Sequence, residues 1–149
     1  MVWVLILLGC VEGPGGTLAV STPDFEAYVS EVQPIFAALC SNGSCHGDPG
    51  RPLEVYAVHY HRLDPDDVYL DGELTQEELW LNYLGAWAFI DEVAAIEDAS
   101  AGDSALLTKP LAPGQGGAMH TGGIQFFDTE DRAYQAILDW IADAISRAP

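Results

Sequence analysis

The chain has 149 residues, 49% of them hydrophobic and 19% charged, which fits one globular domain with a real core and excludes a disordered polymer. Its 23 acidic residues stand against 5 basic ones, for a formal net charge of -18, and Lys109 is the only lysine. So acidic a surface repels nucleic acid and anionic lipid headgroups, which sets nucleic-acid binding aside and favours partner proteins with a basic docking surface. Solubility alone is the plainer explanation of the charge.

In chain order, Val2 to Leu8 is an apolar run too short to span a bilayer as a helix. It ends in Leu7-Leu8-Gly9-Cys10, which resembles a bacterial lipobox. That resemblance implies cleavage before Cys10 and lipid modification of the new N-terminal cysteine. An ordinary secretory peptide or a buried strand are the competing readings of the same run. Gly13-Pro14-Gly15-Gly16 then reads as a tether. The expected organisation is a lipoprotein signal peptide over residues 1–9, lipidated Cys10 and tether over 10–20, and one domain over 21–149.

A first helix starts near Ser21 or Thr22 as N-cap, with Pro23 at its first position and Asp24 and Glu26 in the first turn. Phe25, Tyr28, Val29, Val32, Ile35, Phe36 and Leu39 recur at helical spacing, and Pro34 is expected to divide the helix in two. The second part runs directly into Cys40-Ser41-Asn42-Gly43-Ser44-Cys45-His46. This stretch looks like a C-x-x-C-H haem-attachment box widened by two residues; in such a box paired thiols add to two vinyl groups and the following His ligates iron. The excess residues must bulge outward, and Asn42-Gly43 tolerates the positive φ of a tight turn. With Cys10 assigned to lipid, Cys40 and Cys45 remain as a pair in an oxidising, extracytoplasmic compartment.

Gly47 to Pro52 reads as a Gly/Pro loop, and Leu53 to Leu63, with His59 and His61, matches no regular element. Thr75-Gln76-Glu77-Glu78 is a capping box opening a helix that carries Leu79, Trp80, Tyr83, Leu84, Trp87 and Ile90, with Gly85 weakening its continuation toward Ile96. Ala101 to Leu111 reads as a short helix leading into a Pro/Gly loop over 112–123. Asp128 or Thr129 is expected to cap a last helix with Tyr134, Ile137, Leu138, Ile141 and Ile145 as its apolar stripe and Trp140 flanking it. Strand signals are weak throughout. The many acids are expected on solvated helix faces and helix starts.

Tyr28, Val32, Pro34, Ile35 and Phe36 ahead of the C…C-H box form a pattern that resembles bacterial monohaem c-type cytochrome domains. The stretch Gly102, Asp103, Ala105 and Leu106 to Leu111, the later His120, Gly122 and Gly123, and the closing Trp140-Ile141 pair are similar to that family as well. The resemblance covers most of the chain after Ser21, while Val55 to Ala99 matches nothing in it. It implies a mainly α, cytochrome c-like small helical domain around one haem c, with an inserted middle region. It further implies that Cys40 and Cys45 carry thioethers, that His46 is the proximal iron ligand, and that the Gly47–Pro52 loop offers carbonyls to the His46 ring. The distal ligand is expected at His120, with Met119 the alternative and His59 and His61 as third choices more readily read as ordinary surface or core histidines. Trp80, Trp87, Phe126, Phe127 and Trp140 are candidates to line a haem pocket, although aromatics at helical spacing usually fill a core.

The implied function is electron transfer, without catalysis, by a lipid-anchored protein of the bacterial periplasm or cell surface that meets a redox partner protein. Two other readings stand beside it. One is a haem-free extracytoplasmic binding lipoprotein with a Cys40–Cys45 disulfide. The other is a zinc site joining Cys40, Cys45 and His46 to His59, His61 or His120.

Overall fold

In the computed structural model, which describes residues 22–147, the chain is mainly helical. The expected signal peptide, Cys10 and tether lie outside the described residues. The first helix begins at Phe25, capped by Asp24, whose carboxylate accepts from the Ala27 amide at 2.9 Å. Thr22 is therefore not the cap. α1 (Phe25–Ala27) runs through a π turn (Tyr28–Val32) into α2 (Gln33–Leu39) without a break. Pro34 has no N–H to give Ser30 and its ring crowds that carbonyl, so the turn before it widens and the Gln33 amide reaches back to the Tyr28 carbonyl. The proline thus reshapes the helix where a division was expected. The wide turn keeps Tyr28, Val32 and Phe36 on one inward face, all essentially buried.

Residues 47–75 form irregular chain whose regular pieces are a 3-10 turn (Pro65–Tyr69) and an isolated bridge between Ala57 and His61. Buried polar chemistry on α3 (Gln76–Ala94) fixes this segment. Glu78 and Asn82, both without solvent exposure, lie on its inner face. Asn82 accepts from the Tyr56 amide at 2.7 Å and donates to the Tyr56 carbonyl at 2.8 Å and to Gln33 at 2.9 Å. Glu78 takes Arg62 Nε and Nη2 at 2.8 and 3.0 Å, and the Leu63 amide at 2.9 Å. It also closes the capping box with Thr75. Burial works to raise the Glu78 pKa, but the bonds from Arg62, Thr75 and Leu63 outweigh it and hold the carboxyl at about 2. The expected apolar stripe of α3 holds at Tyr83 and Ile90, which are buried, and is corrected at Trp80 and Leu84, which are exposed; Glu78, Asn82, Ala86 and Val93 complete the buried face. Glu78 is likewise no surface acid.

A 3-10 turn (Ala101–Asp103) precedes α4 (Ala105–Thr108), and α5 (Arg132–Ser146) closes the fold. Its cap is Asp131, bonded to the Ala133 amide at 2.8 Å, while Asp128 bonds the Glu130 amide and so shapes the turn before it. Trp140 belongs to the core instead of flanking it, 4% exposed, and its indole N–H donates to the Asp24 carbonyl at 2.9 Å. That bond ties the last helix to the start of the first. Tyr83 does the same for α3, donating to the Pro23 carbonyl at 2.8 Å. Tyr28, Tyr83 and Trp140 meet ring to ring where these helices converge.

Candidate functional site

Where α2 ends, Cys40 caps it and the chain turns back on itself. The Asn42 carbonyl accepts from the Cys45 and Gly47 amides at 2.7 and 3.1 Å, and the His46 amide donates to the Cys40 carbonyl at 3.1 Å. The Asn42 side chain accepts from the Ser44 amide and hydroxyl at 2.9 and 2.8 Å. Asn42, Gly43 and Ser44 are exposed, while Cys40, Cys45 and His46 line one cavity. The two excess residues thus lie outward, as the widened spacing requires. The means differs from expectation. Neither Asn42 nor Gly43 takes a positive φ; an Asx turn does the bending. Within this turn it is Gly47 that leaves no room for a side chain, because a Cβ there would sit 2.1 Å from the Ser41 carbonyl oxygen.

His46 is held by the segment Leu53 to Val55. Its Nδ1–H donates to the Leu53 carbonyl at 2.7 Å, and its own carbonyl accepts from the Val55 amide at 2.7 Å. The accepting carbonyl thus lies one residue beyond the expected Gly47–Pro52 loop. A carbonyl can only accept, so the proton resides on Nδ1 and the Nε2 lone pair is left free to bind a metal. Leu53, 6% exposed, is anchored in the core, which makes the ring orientation a property of the fold.

Opposite in sequence, the loop after α4 is pinned at its base. The Pro110 carbonyl accepts from the Gln125 and Phe126 amides, Ala112 bonds Phe126, and the Thr108 carbonyl accepts from Ala118 at 2.7 Å. Gly117 packs so closely on Leu111 that a Cβ would meet its carbonyl oxygen at 1.9 Å. This frame turns His120 into the cavity that Cys40, Cys45 and His46 also line, and leaves Met119 outside it, 86% exposed. His120 Nδ1 is buried without a hydrogen-bond partner. Burial, then the nearby His46 ring and the Lys109 ammonium, lower the His120 pKa. The imidazole is accordingly neutral at pH 7 and its lone pair is available. Gly122 lies close beside that ring, where a Cβ would come within 2.7 Å of Nε2.

The cavity measures about 280 Å³, is partly open, and is walled mostly by apolar side chains, Phe36, Leu39, Leu53, Phe89, Leu106 and Pro110 among them. It explains why Leu39 is 37% exposed although it belongs to the apolar face of its helix. Cys40 and Cys45 are free thiols, and burial, with Cys45 second, pushes the Cys40 thiol up to about 12. Among the described residues no three His, Cys, Asp or Glu side chains converge as a metal cluster. His59 and His61 stay away from the cavity: His59 pairs with Asp71 at 3.3 Å, and His61 with Glu54 at 2.6 Å while stacking on Tyr56. Trp80, Trp87, Phe126, Phe127 and Trp140 do not line it either. The aromatic walls are Phe36, part of the first helix's apolar pattern, and Phe89, which the stripe through Tyr83 and Ile90 passes by. Nothing in the sequence marks Gln125, and Lys109 stands out there only as the single lysine within the Leu106–Leu111 stretch; the placement of α4 and the pinned loop brings both to the wall. No helix among the described residues is long and apolar enough to cross a membrane. Comparison of the chain with protein families, curated proteins and solved structures gives no match.

Proposed function

We propose that this chain is a monohaem c-type electron carrier, with haem c bound through Cys40 and Cys45 and its iron ligated by His46 and His120. The observation that carries the reading is the convergence of residues 40, 45, 46 and 120, from opposite ends of the domain, on one apolar cavity. The residues suit the group. His46 has its tautomer set with Nε2 free, His120 is a neutral imidazole with an unpartnered buried nitrogen, and Gly122 leaves the His120 ring uncrowded. A haem so bound supplies a one-electron Fe(II)/Fe(III) couple. Cys40 and Cys45 would hold the group by addition of S–H across its vinyl groups, sulfur to one carbon and hydrogen to its neighbour, with no net oxidation. Were His46 and His120 both to hold the iron, no site on it would be left for a substrate, which favours electron transfer over catalysis.

The lipobox-like segment supports an extracytoplasmic, lipid-anchored setting, and thioether attachment is a chemistry of that compartment. The acidic surface favours a redox partner with a basic docking surface. The nearness of Cys40 to Cys45 also suits the disulfide reading. The haem reading is favoured over it because a disulfide gives no role to His120, whose unpartnered ring nitrogen is buried and which lines the same cavity. Zinc is disfavoured because Cys45 and His46 are adjacent and make poor partners in one tetrahedral shell.

The ligand assignment is tested on protein made in a host with haem-ligation machinery. The wild type is expected to give a low-spin, bis-imidazole spectrum in both oxidation states. Met119→Ala leaves that spectrum unchanged and His120→Ala converts it to high spin or opens it to added imidazole. A low-spin spectrum that survives in His120→Ala and disappears in Met119→Ala would reverse the assignment.

A further inference from the structure

We propose that Lys109 is the cation that receives a carboxylate of the group held between His46 and His120, and so fixes which edge of that group lies at the cavity mouth. The inference rests on the haem reading, under which the carboxylate is a propionate. Among the described residues Lys109 is the one fixed charge whose side chain lines the cavity. No Asp or Glu of the described residues lines it, nor the smaller adjoining cavity that Lys109 and His120 share, acidic as the chain is. So consistent an exclusion of carboxylates leaves room for anionic groups that the protein itself does not supply.

The other basic side chains separate cleanly. Arg51, Arg62 and Arg147 each have a carboxylate within 4 Å, and Arg132 is exposed on α5 and lines neither cavity. No carboxylate of the described residues comes that near Lys109. Its exposure puts the ammonium toward solvent while its stem forms wall, the usual way a long basic side chain spans an apolar surface. α4 is a single turn, so it has little dipole for a C-terminal cation to complement. The backbone at Lys109 is fixed on both sides, through Thr108 to Ala118 and through Pro110 to Gln125 and Phe126. The residue therefore holds its place relative to His120 whether or not a group is bound. An apolar macrocycle with two carboxylates at one edge meets both demands of this cavity: dry walls inside, one cation at the opening.

The test uses haem-loaded wild type, Lys109→Met, Lys109→Gln and Lys109→Arg, read by resonance Raman spectroscopy of the propionate bending band and by midpoint potential against pH. In Lys109→Met and Lys109→Gln the band is expected to shift and the potential to fall and depend more steeply on pH near neutrality, because an uncompensated propionate favours Fe(III). Lys109→Arg restores both. All variants keep the bis-imidazole spectrum and melt close to wild type. Variants that carry haem with the wild-type band and potential profile overturn the Lys109 proposal while leaving the haem reading intact. A failure of Lys109→Arg to restore the band overturns the role of charge. A wild type that attaches no haem overturns both.

Discussion

Glu78→Gln is the perturbation whose size comes most directly from the structure. Glu78 and Arg62 are both buried, joined by two nitrogen–oxygen contacts, with Arg62 also donating to the Gly72 and Glu73 carbonyls. The pair fastens the irregular segment that carries Leu63 to the start of α3. The fall of the Glu78 pKa from the ordinary 4.5 to about 2 corresponds, at about 1.36 kcal/mol per pH unit, to about 3 kcal/mol of folding stability. Because the folded value is depressed, that contribution is complete above the unfolded pKa and is lost as pH falls through 4.5 toward about 2. At neutral pH, Glu78→Gln leaves the buried Arg62 guanidinium with only the more distant and half-exposed Asp67 carboxylate, 3.9 Å away, at a cost of about 3–5 kcal/mol. For a domain of this size the melting temperature should drop by roughly 10–15 °C. The assay is urea and thermal unfolding of the haem-free protein across acid pH. The wild type should lose stability over that window, and the variant should start lower and fall less steeply. The double change Arg62→Met with Glu78→Leu recovers only part of the loss, since the Leu63 and Thr75 amides then lack their acceptor. A Glu78→Gln protein that melts with wild type and keeps its acid dependence would refute the reasoning.

The other predictions are local. Gly47→Ala should cost about 3 kcal/mol, because the new Cβ meets backbone and not a movable side chain, and a urea midpoint near wild type would contradict it. Gly122→Ala should change stability by less than about 1 kcal/mol, since a ring tip can yield, yet it should weaken the low-spin spectrum by displacing His120. Trp140→Phe keeps the ring and loses the indole bond to Asp24, for about 1 kcal/mol in chemical denaturation. Cys45→Ala should retain a single thioether through Cys40, visible as a shifted α band in the pyridine haemochrome spectrum.

The features readable from the sequence were local. The capping box at Thr75, the outward bulge between the cysteines and the apolar face of the first helix are set by residues a few positions apart, and each is present. The two helix starts were misplaced because several capping residues stood in a row, and only geometry chooses Asp24 over Thr22 or Asp131 over Asp128. The buried face of α3 was illegible for a different reason. A pattern of apolar residues cannot reveal that Glu78 and Asn82 point inward, because their partners Arg62, Tyr56 and Gln33 come from other segments. The site divides in the same way. The Cys40, Cys45 and His46 cluster is contiguous and legible, and the choice of His120 over Met119 rested on the glycines Gly122 and Gly123 just beyond it. Lys109, Phe89 and the Leu53 carbonyl reach the cavity only through tertiary packing.

The central claim is that the cavity between residues 46 and 120 holds a haem bound through both cysteines. Intact mass under denaturing conditions, on protein made with haem-ligation machinery, tests it most directly. The account predicts a gain of one haem in the wild type that is lost when Cys40 and Cys45 are both replaced by Ala. A wild type that carries no covalent adduct, or that differs from its reduced form only by the two hydrogens of a Cys40–Cys45 disulfide, would contradict it.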